Sequence, residues 1–329
     1  MHLLVTGGAG FIGSHAVDLL ISGGYQVTVI DSLEKGHREA VHPDATLVQG
    51  DCGDQKLLDQ LFASKRFDAV LHFAAFIEAG ESMVNPGRFF VNNTSKALAL
   101  LDRMAAHSIK HFIFSSTAAT YGDPEYTPID EIHPQNPTNA YGYTKLLVEG
   151  ALTWMHKLHG MSCVSLRYFN AAGCSEKLGE DHNPETHLIP LVLDVALGKL
   201  PSIKLFGTDY PTPDGTCIRD YIHVEDLALA HVLALKKILD DKTAQKLAYN
   251  LGNGQGYSVR QVIDIARQVT GHSIPIIEEP RRPGDPAVLI ASSEKIKEEL
   301  GWNPKHPDLF DIIKSAWDWR KTHPNGYKQ

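Results

Sequence analysis

Tyr141 and Lys145, in "YGYTK" (141–145), are four residues apart and so share one face of a helix. A phenol is a poor base at neutral pH because its ordinary pKa is about 10. A close ammonium favours the phenolate and turns such a tyrosine into a usable base. Tyr143 has no lysine four residues on and is the weaker candidate. Upstream, "FSSTAATYG" (114–122) ends an apolar run in Ser115, Ser116 and Thr117, followed by Ala118 and Ala119. Tyr141 can take a proton from a substrate hydroxyl while a hydride leaves the same carbon. Thr117 can hold that oxygen in line, and Lys145 can support the base. The two alanines raise a question, because methyl groups offer a substrate nothing to grip.

A departing hydride needs an acceptor, and the chain opens on a place for one. In "LLVTGGAGFIG" (3–13) an apolar strand runs straight into glycines that open a helix. Gly7, Gly10 and Gly13 are spaced G-x-x-G-x-x-G, and Gly8, Gly10 and Gly13 also fit G-x-G-x-x-G. Such glycines allow a tight turn, close approach of backbone to a pyrophosphate, and tight packing of helix on strand. The phosphates then meet the free N–H groups of the helix start, around Phe11 and Ile12. The second strand ends in "VIDSL", where Asp31, next to Ser32, can accept from two ribose hydroxyls and would repel a 2′-phosphate. NAD is therefore expected rather than NADP, although Lys35 and Arg38 lie nearby. "GDC" (50–52) places Asp51 and Cys52 at the adenine, and "HFAA" (72–75) lets Phe73, Ala74 and Ala75 pass close to the nicotinamide half. His72 itself reads as structural.

These groups need a frame. "HLLVT", "QVTVID", "ATLVQG", "FDAVLHFA", "KHFIFSS" and "SCVSLRYF" read as strands, separated by segments with apolar residues three and four apart. The alternation implies βαβ units and a parallel sheet covered on both faces. The expected class is α/β: a Rossmann-type doubly wound parallel sheet over residues 1–169, with a smaller, loop-rich α/β domain over 170–329. "RDYIHVEDLALAHVLALKKIL" suggests that about 217–240 return to the large sheet.

Composition narrows the class. A net charge of −8 argues against general affinity for nucleic acid or anionic membranes. No apolar run approaches the length of a membrane span, and the first residues lack the pattern of a signal peptide. Four scattered cysteines without a Cys-x-x-Cys are expected to be reduced thiols of a cytoplasmic protein. Seventeen histidines invite a metal hypothesis, but no His/Cys cluster stands out and no metal site is expected.

TGGAGFIG (6–13), SSTAATYG (115–122) and YGYTK together resemble the extended short-chain dehydrogenase/reductase family over nearly the whole chain. "HFAAFIEAGES", "LRYFNAAG", "FGTDYPTPDGT", "RDYIHVEDL" and "RRPGDPA" are similar to its UDP-glucose 4-epimerase branch. The resemblance implies interconversion of UDP-galactose and UDP-glucose through a transient 4-keto sugar, with tightly bound NAD. It also accounts for the alanines. Dehydrating relatives carry an Asp-Glu pair where this chain has Ala118 and Ala119, and decarboxylating relatives keep a glutamate at the second position. With no acid supplied, the keto sugar can only be reduced again.

The same resemblance implies cofactor contacts from Asn92 and Phe169. It casts Arg219 and Arg282 as diphosphate grips, Phe206 and Leu188 as uridine-pocket walls, and Asn170, Tyr221 and Asp285 as polar contacts. Four positions depart from the common pattern. Thr117 replaces a frequent serine, Ile77 stands where some members have lysine, and His187 replaces an asparagine that commonly touches substrate. Val288 falls near a position where tyrosine restricts the sugar pocket, so a smaller residue there would admit N-acetylated sugars. UDP-N-acetylhexosamines and UDP-uronic acids are the alternative substrates, and a nucleotide-sugar reductase or an NAD sensor are the competing readings. Relatives usually pair through two helices per subunit, here Pro86 to His107 and Tyr141 to His159, so a homodimer is expected.

Overall fold

The computed structural model describes residues 1–282 and 284–327. Six of the apolar runs form strands: β1 (His2–Thr6), β2 (Gln26–Asp31), β3 (Thr46–Gln49), β4 (Ala69–His72), β5 (His111–Ser115) and β6 (Ser162–Tyr168). They lie in one seven-stranded sheet in the order β3-β2-β1-β4-β5-β6, followed by the strand Lys246–Leu251, and every pair is parallel. Central strands such as β4 are buried residue for residue, as a sheet covered by helices on both faces requires. The strand order reverses between β1 and β4. The chain leaves these neighbours in opposite directions, so a crevice opens at their carboxyl ends.

The stretch 217–240 returns to this sheet in a different form from that expected. Its helix, Val224–Asp240, packs Leu227, Leu235 and Ile238 into the core shared by Leu3 and Val5. Its strand, Ile218–His223, instead belongs to a four-stranded sheet with Gly256–Ser258, Val288–Leu289 and Asn170–Ala172. Buried Asp220 holds it there, accepting the backbone N–H groups of Asn253 (2.8 Å), Gly254 (3.0 Å) and Ala291 (3.1 Å). The seventh strand of the large sheet is Lys246–Leu251, paired with β6. A second apolar core, including Val192, Leu205, Ile263 and Ile313, supports the C-terminal half. No helix of the described residues is long and apolar enough to cross a membrane.

Candidate active site

Tyr141 and Thr117 come together because helix Ala140–His159 rests on the turn that follows β5. Asn139 caps that helix, accepting from Gly142 N at 2.8 Å. Gly142 permits the close approach, since a Cβ there would lie 2.4 Å from the Ala119 carbonyl oxygen. Farther along, Glu149 ties the helix to the sheet. It receives Arg167 Nη2 at 2.6 Å and the Ser116 hydroxyl at 2.6 Å, all three buried. Ser116 is thus spent on structure, whereas Thr117 faces a cavity of about 910 Å³ together with Tyr141.

Burial dominates the electrostatics of the pair. It pushes the Tyr141 phenol well above its ordinary value; Tyr168 and Glu78 add to the rise, and only a hydrogen bond with Thr117 opposes it. Burial also lowers Lys145, to about 7. Its ammonium does not line the cavity. It donates to the Ser115 carbonyl at 2.9 Å and lies over the Phe114 ring, 5.1 Å from the centroid. The two share a helix face, and burial acts on both, raising the phenol and lowering the ammonium.

One half of the cavity starts at the glycine turn. A Cβ on Gly13 would lie 2.1 Å from the Gly7 carbonyl oxygen, and one on Gly7, at φ +74°, would lie 2.5 Å from Ala74 N. Gly10 begins helix Phe11–Ser22 with no side-chain cap and no acidic residue in its first turn. The free N–H groups there and the positive end of the helix dipole are matched to a phosphate. Asp31, at the tip of β2, accepts from Ala9 N (3.0 Å) and Leu33 N (2.9 Å), which leaves one lone pair on each carboxylate oxygen for a diol. Phe11, Ile12, Ser32, Asp51, Cys52, Phe73, Ala74, Ala75, Asn92 and Phe169 all line this cavity. The Cys52 thiol is pushed up to about 12 by burial and is inert as a nucleophile. His72 is buried, with Nδ1 2.6 Å from the Thr6 hydroxyl, in a structural place. These residues fit a dinucleotide.

The other half is walled by the C-terminal residues Asn170, His187, Leu188, Phe206, Arg219, Tyr221, Arg282 and Asp285. Arg219 pairs with Asp285, not with its neighbour Asp220, and donates to the Ile218 carbonyl at 2.7 Å. Asp285 is thereby a partner of the arginine. The Arg282 guanidinium stacks 3.9 Å from the centre of Phe206, so a cation and a flat apolar face share one corner. His187 turns Nδ1 onto Glu180 (3.0 Å) and Glu185 (2.9 Å). Ile77 lines the cavity, but Val288 does not. Val288 pairs in the sheet with Ile218.

Several cavity residues escaped the sequence reading. Tyr168 stands at the end of β6, its hydroxyl 2.6 Å from that of Ser115, and Glu78 pairs with Lys35 at 3.3 Å. Lys96 reaches Asp51 at 2.7 Å. For Tyr168 a signal existed, its position at the carboxyl end of a central strand; the others lie on loops or helices whose facing sequence does not announce.

Residues 3–252 match the NAD dependent epimerase/dehydratase family. A UDP-glucose 4-epimerase of Halalkalibacterium halodurans is 52% identical over 329 residues, covering 99% of this chain and 98% of that protein. The UDP-glucose 4-epimerase from Brucella ovis, solved in complex with NAD, superposes with a TM-score of 0.93 at 44% identity, covering 97% of this chain and 98% of that one. The enzyme from Bifidobacterium longum, solved in complex with NAD+ and UDP, superposes with a TM-score of 0.95 at 39% identity, covering 99% of this chain and 100% of that one. A glycine turn at a strand-order reversal, opening a cavity that also holds the Tyr141–Thr117 pair, is the arrangement this ancestry accounts for: the chain belongs to the NAD dependent epimerase/dehydratase family and groups within it with UDP-glucose 4-epimerases.

Proposed function

We propose that this protein is an NAD-dependent UDP-sugar 4-epimerase that interconverts UDP-galactose and UDP-glucose. The observation that carries the reading is the joint placement of Tyr141 and Thr117 beside two alanines, in one cavity that runs from the glycine turn to the Arg219–Arg282 corner. Bound NAD supplies a reversible hydride acceptor and a positive charge that favours the Tyr141 phenolate. Tyr141 takes the proton of the sugar 4-hydroxyl and later returns it, so no proton is gained or lost over the cycle. Thr117 holds the 4-oxygen in line. Ala118 and Ala119 supply no acid, so the keto sugar cannot lose water and is reduced again. Arg219 and Arg282 grip the diphosphate, with Phe206 and Leu188 against the uracil, which leaves the sugar free to present either face.

The protein purified without added cofactor and incubated with UDP-galactose is expected to yield UDP-glucose up to an equilibrium mixture, with no lasting change at 340 nm. A lasting absorbance change would indicate a reductase. No conversion even with NAD supplied would move the assignment to uronic or N-acetylated UDP-sugars.

The enzyme is a homodimer in this proposal. Val91, Leu98, Tyr143, Leu147, Trp154 and Leu158 are exposed on the two helical segments expected to pair. Together they form an apolar stripe of the kind a second copy covers. A monomeric mass by light scattering at micromolar concentration would contradict it. A cytoplasmic setting is supported by the four cysteines, all unpaired and buried.

A further inference from the structure

The loop that enters helix Leu188–Ala196 gathers four side chains that the reaction above does not use as a group: Glu180, His182, Glu185 and His187. One atom from each lies within 4.8 Å of the others. Glu180 Oε1 is 3.2 Å from His182 Nδ1 and 3.0 Å from His187 Nδ1, and Glu185 Oε2 is 3.7 Å from His182 Nδ1. Four ligands at the zinc–nitrogen and zinc–oxygen distances of about 2.0–2.2 Å, arranged as a tetrahedron, stand ~3.3 Å apart. These three of the six edges bracket that value.

A second observation points the same way. Glu185 Oε2 and His182 Nδ1 are buried and have no hydrogen-bond partner among the described residues, and the Glu185 side chain is only 10% exposed. The other oxygen of Glu185 is engaged, accepting from Thr186 N and His187 N at 2.8 Å each and lying 2.9 Å from His187 Nδ1. That is the division expected of a carboxylate with one oxygen on a metal and the other fixed by outer hydrogen bonds. Among the described residues the nearest further cation, Arg320, is 3.8 Å from Glu185 Oε2 but committed to Asp194 at 2.5 Å. A second histidine–carboxylate group among the described residues, His223, Glu225 and His306, lacks this character. Both ring nitrogens of His223 meet groups that are not candidate ligands, Glu225 N at 3.2 Å and Ser315 Oγ at 3.0 Å, whereas His187 Nδ1 meets the carboxylates of its own cluster.

We propose that Glu180, His182, Glu185 and His187 form a binding site for one divalent transition-metal ion of the zinc class, with His182 and His187 ligating through Nδ1. Imidazole with carboxylate selects such ions over calcium or magnesium. The site pins a loop that already reaches the N-terminal half, where Lys35 donates to the Asn183 carbonyl at 2.6 Å and His37 meets the Asp181 carbonyl at 2.8 Å. It thus closes one wall of the cavity, independently of which sugar is turned over.

The test is a titration of chelator-stripped, desalted protein with Co2+. One ion per chain is expected, with the strong visible absorption of a four-coordinate site, displaced by one equivalent of Zn2+. Glu185→Gln and His182→Gln should each weaken binding by more than the roughly 10- to 100-fold that losing an outer-shell partner costs. His306→Gln should keep full stoichiometry. Absence of stoichiometric binding to the wild type overturns the proposal, as does full binding in both ligand variants. If those variants fail to fold, X-ray absorption on the zinc-loaded wild type decides: two imidazoles with carboxylate oxygens support the site, and a sulfur ligand or a purely aqueous shell refutes it.

Discussion

Replacing His231 with phenylalanine should make the protein more resistant to acid, and the gain can be worked out from its surroundings. The ring is fully buried in helix Val224–Asp240, 4.6 Å from that of Phe73, a wall of the cofactor half of the cavity. Nδ1 is 2.9 Å from the Leu227 carbonyl and Nε2 has no partner. Burial lowers the pKa from 6.5 to about 4, so the folded protein holds a neutral ring where the unfolded chain takes up a proton. The folded pKa is the depressed one. The stability carried by the neutral ring is therefore whole above about pH 6.5 and is lost as pH falls toward 4. At pH 5.0 the loss is about 2 kcal/mol, from roughly 1.5 pH units at 1.36 kcal/mol each. Phenylalanine cannot titrate, so the stability difference between variant and wild type should shift by that amount in favour of the variant between pH 7.5 and 5.0. Any constant cost of the larger ring cancels in the comparison. Urea unfolding followed by tryptophan fluorescence measures it; with an m-value of about 3 kcal/mol per molar, the midpoints should move by about 0.7 M relative to one another. Parallel pH profiles for the two proteins would refute the reasoning, because they would mean that His231 takes up protons equally in both states.

Tyr141→Phe should keep its NAD, measured by release on denaturation, while turnover falls by roughly 10²- to 10⁴-fold, the usual worth of a general base; near-native activity would show that another group removes the proton. Ser116→Ala should leave the catalytic rate unchanged and cost about 1–3 kcal/mol in urea unfolding, because its hydroxyl serves buried Glu149 and not the cavity. Thr117→Val should lower the catalytic rate, with a stability cost of about 0.5–2 kcal/mol because its hydroxyl also accepts from Ala119 N; an unchanged rate would show that the structure assigns the wrong hydroxyl to the substrate. Arg282→Ala should raise KM for the UDP-sugar by about 10- to 100-fold, the worth of a charged hydrogen bond, with a smaller effect on kcat; an unchanged KM would place the diphosphate elsewhere.

By itself the sequence determined what depends on local spacing and chain geometry. Strands buried on both faces must be continuously apolar, so β1, β2, β4, β5 and β6 can be read within a residue or two from runs such as "QVTVID". The glycine turn, Asp31 and the Tyr141–Lys145 pair follow from positions relative to those runs, because a cofactor at a strand-order reversal meets the carboxyl ends of the strands. Only the tertiary structure decided matters of partnership. Which hydroxyl of Ser116 and Thr117 faces the cavity depends on Glu149, thirty-three residues away from the first. The place of Ile218–His223 depends on where the backbone N–H groups of Asn253, Gly254 and Ala291 arrive. The protonation of Tyr141 and Lys145 depends on how completely folding removes water from both, and the spacing of two residues on a helix carries no information about that. The Glu180–His187 cluster was spelled out in "GEDHNPETHLIP" all along. A loop has no fixed period, so only its folded path shows that four of those side chains converge on one point.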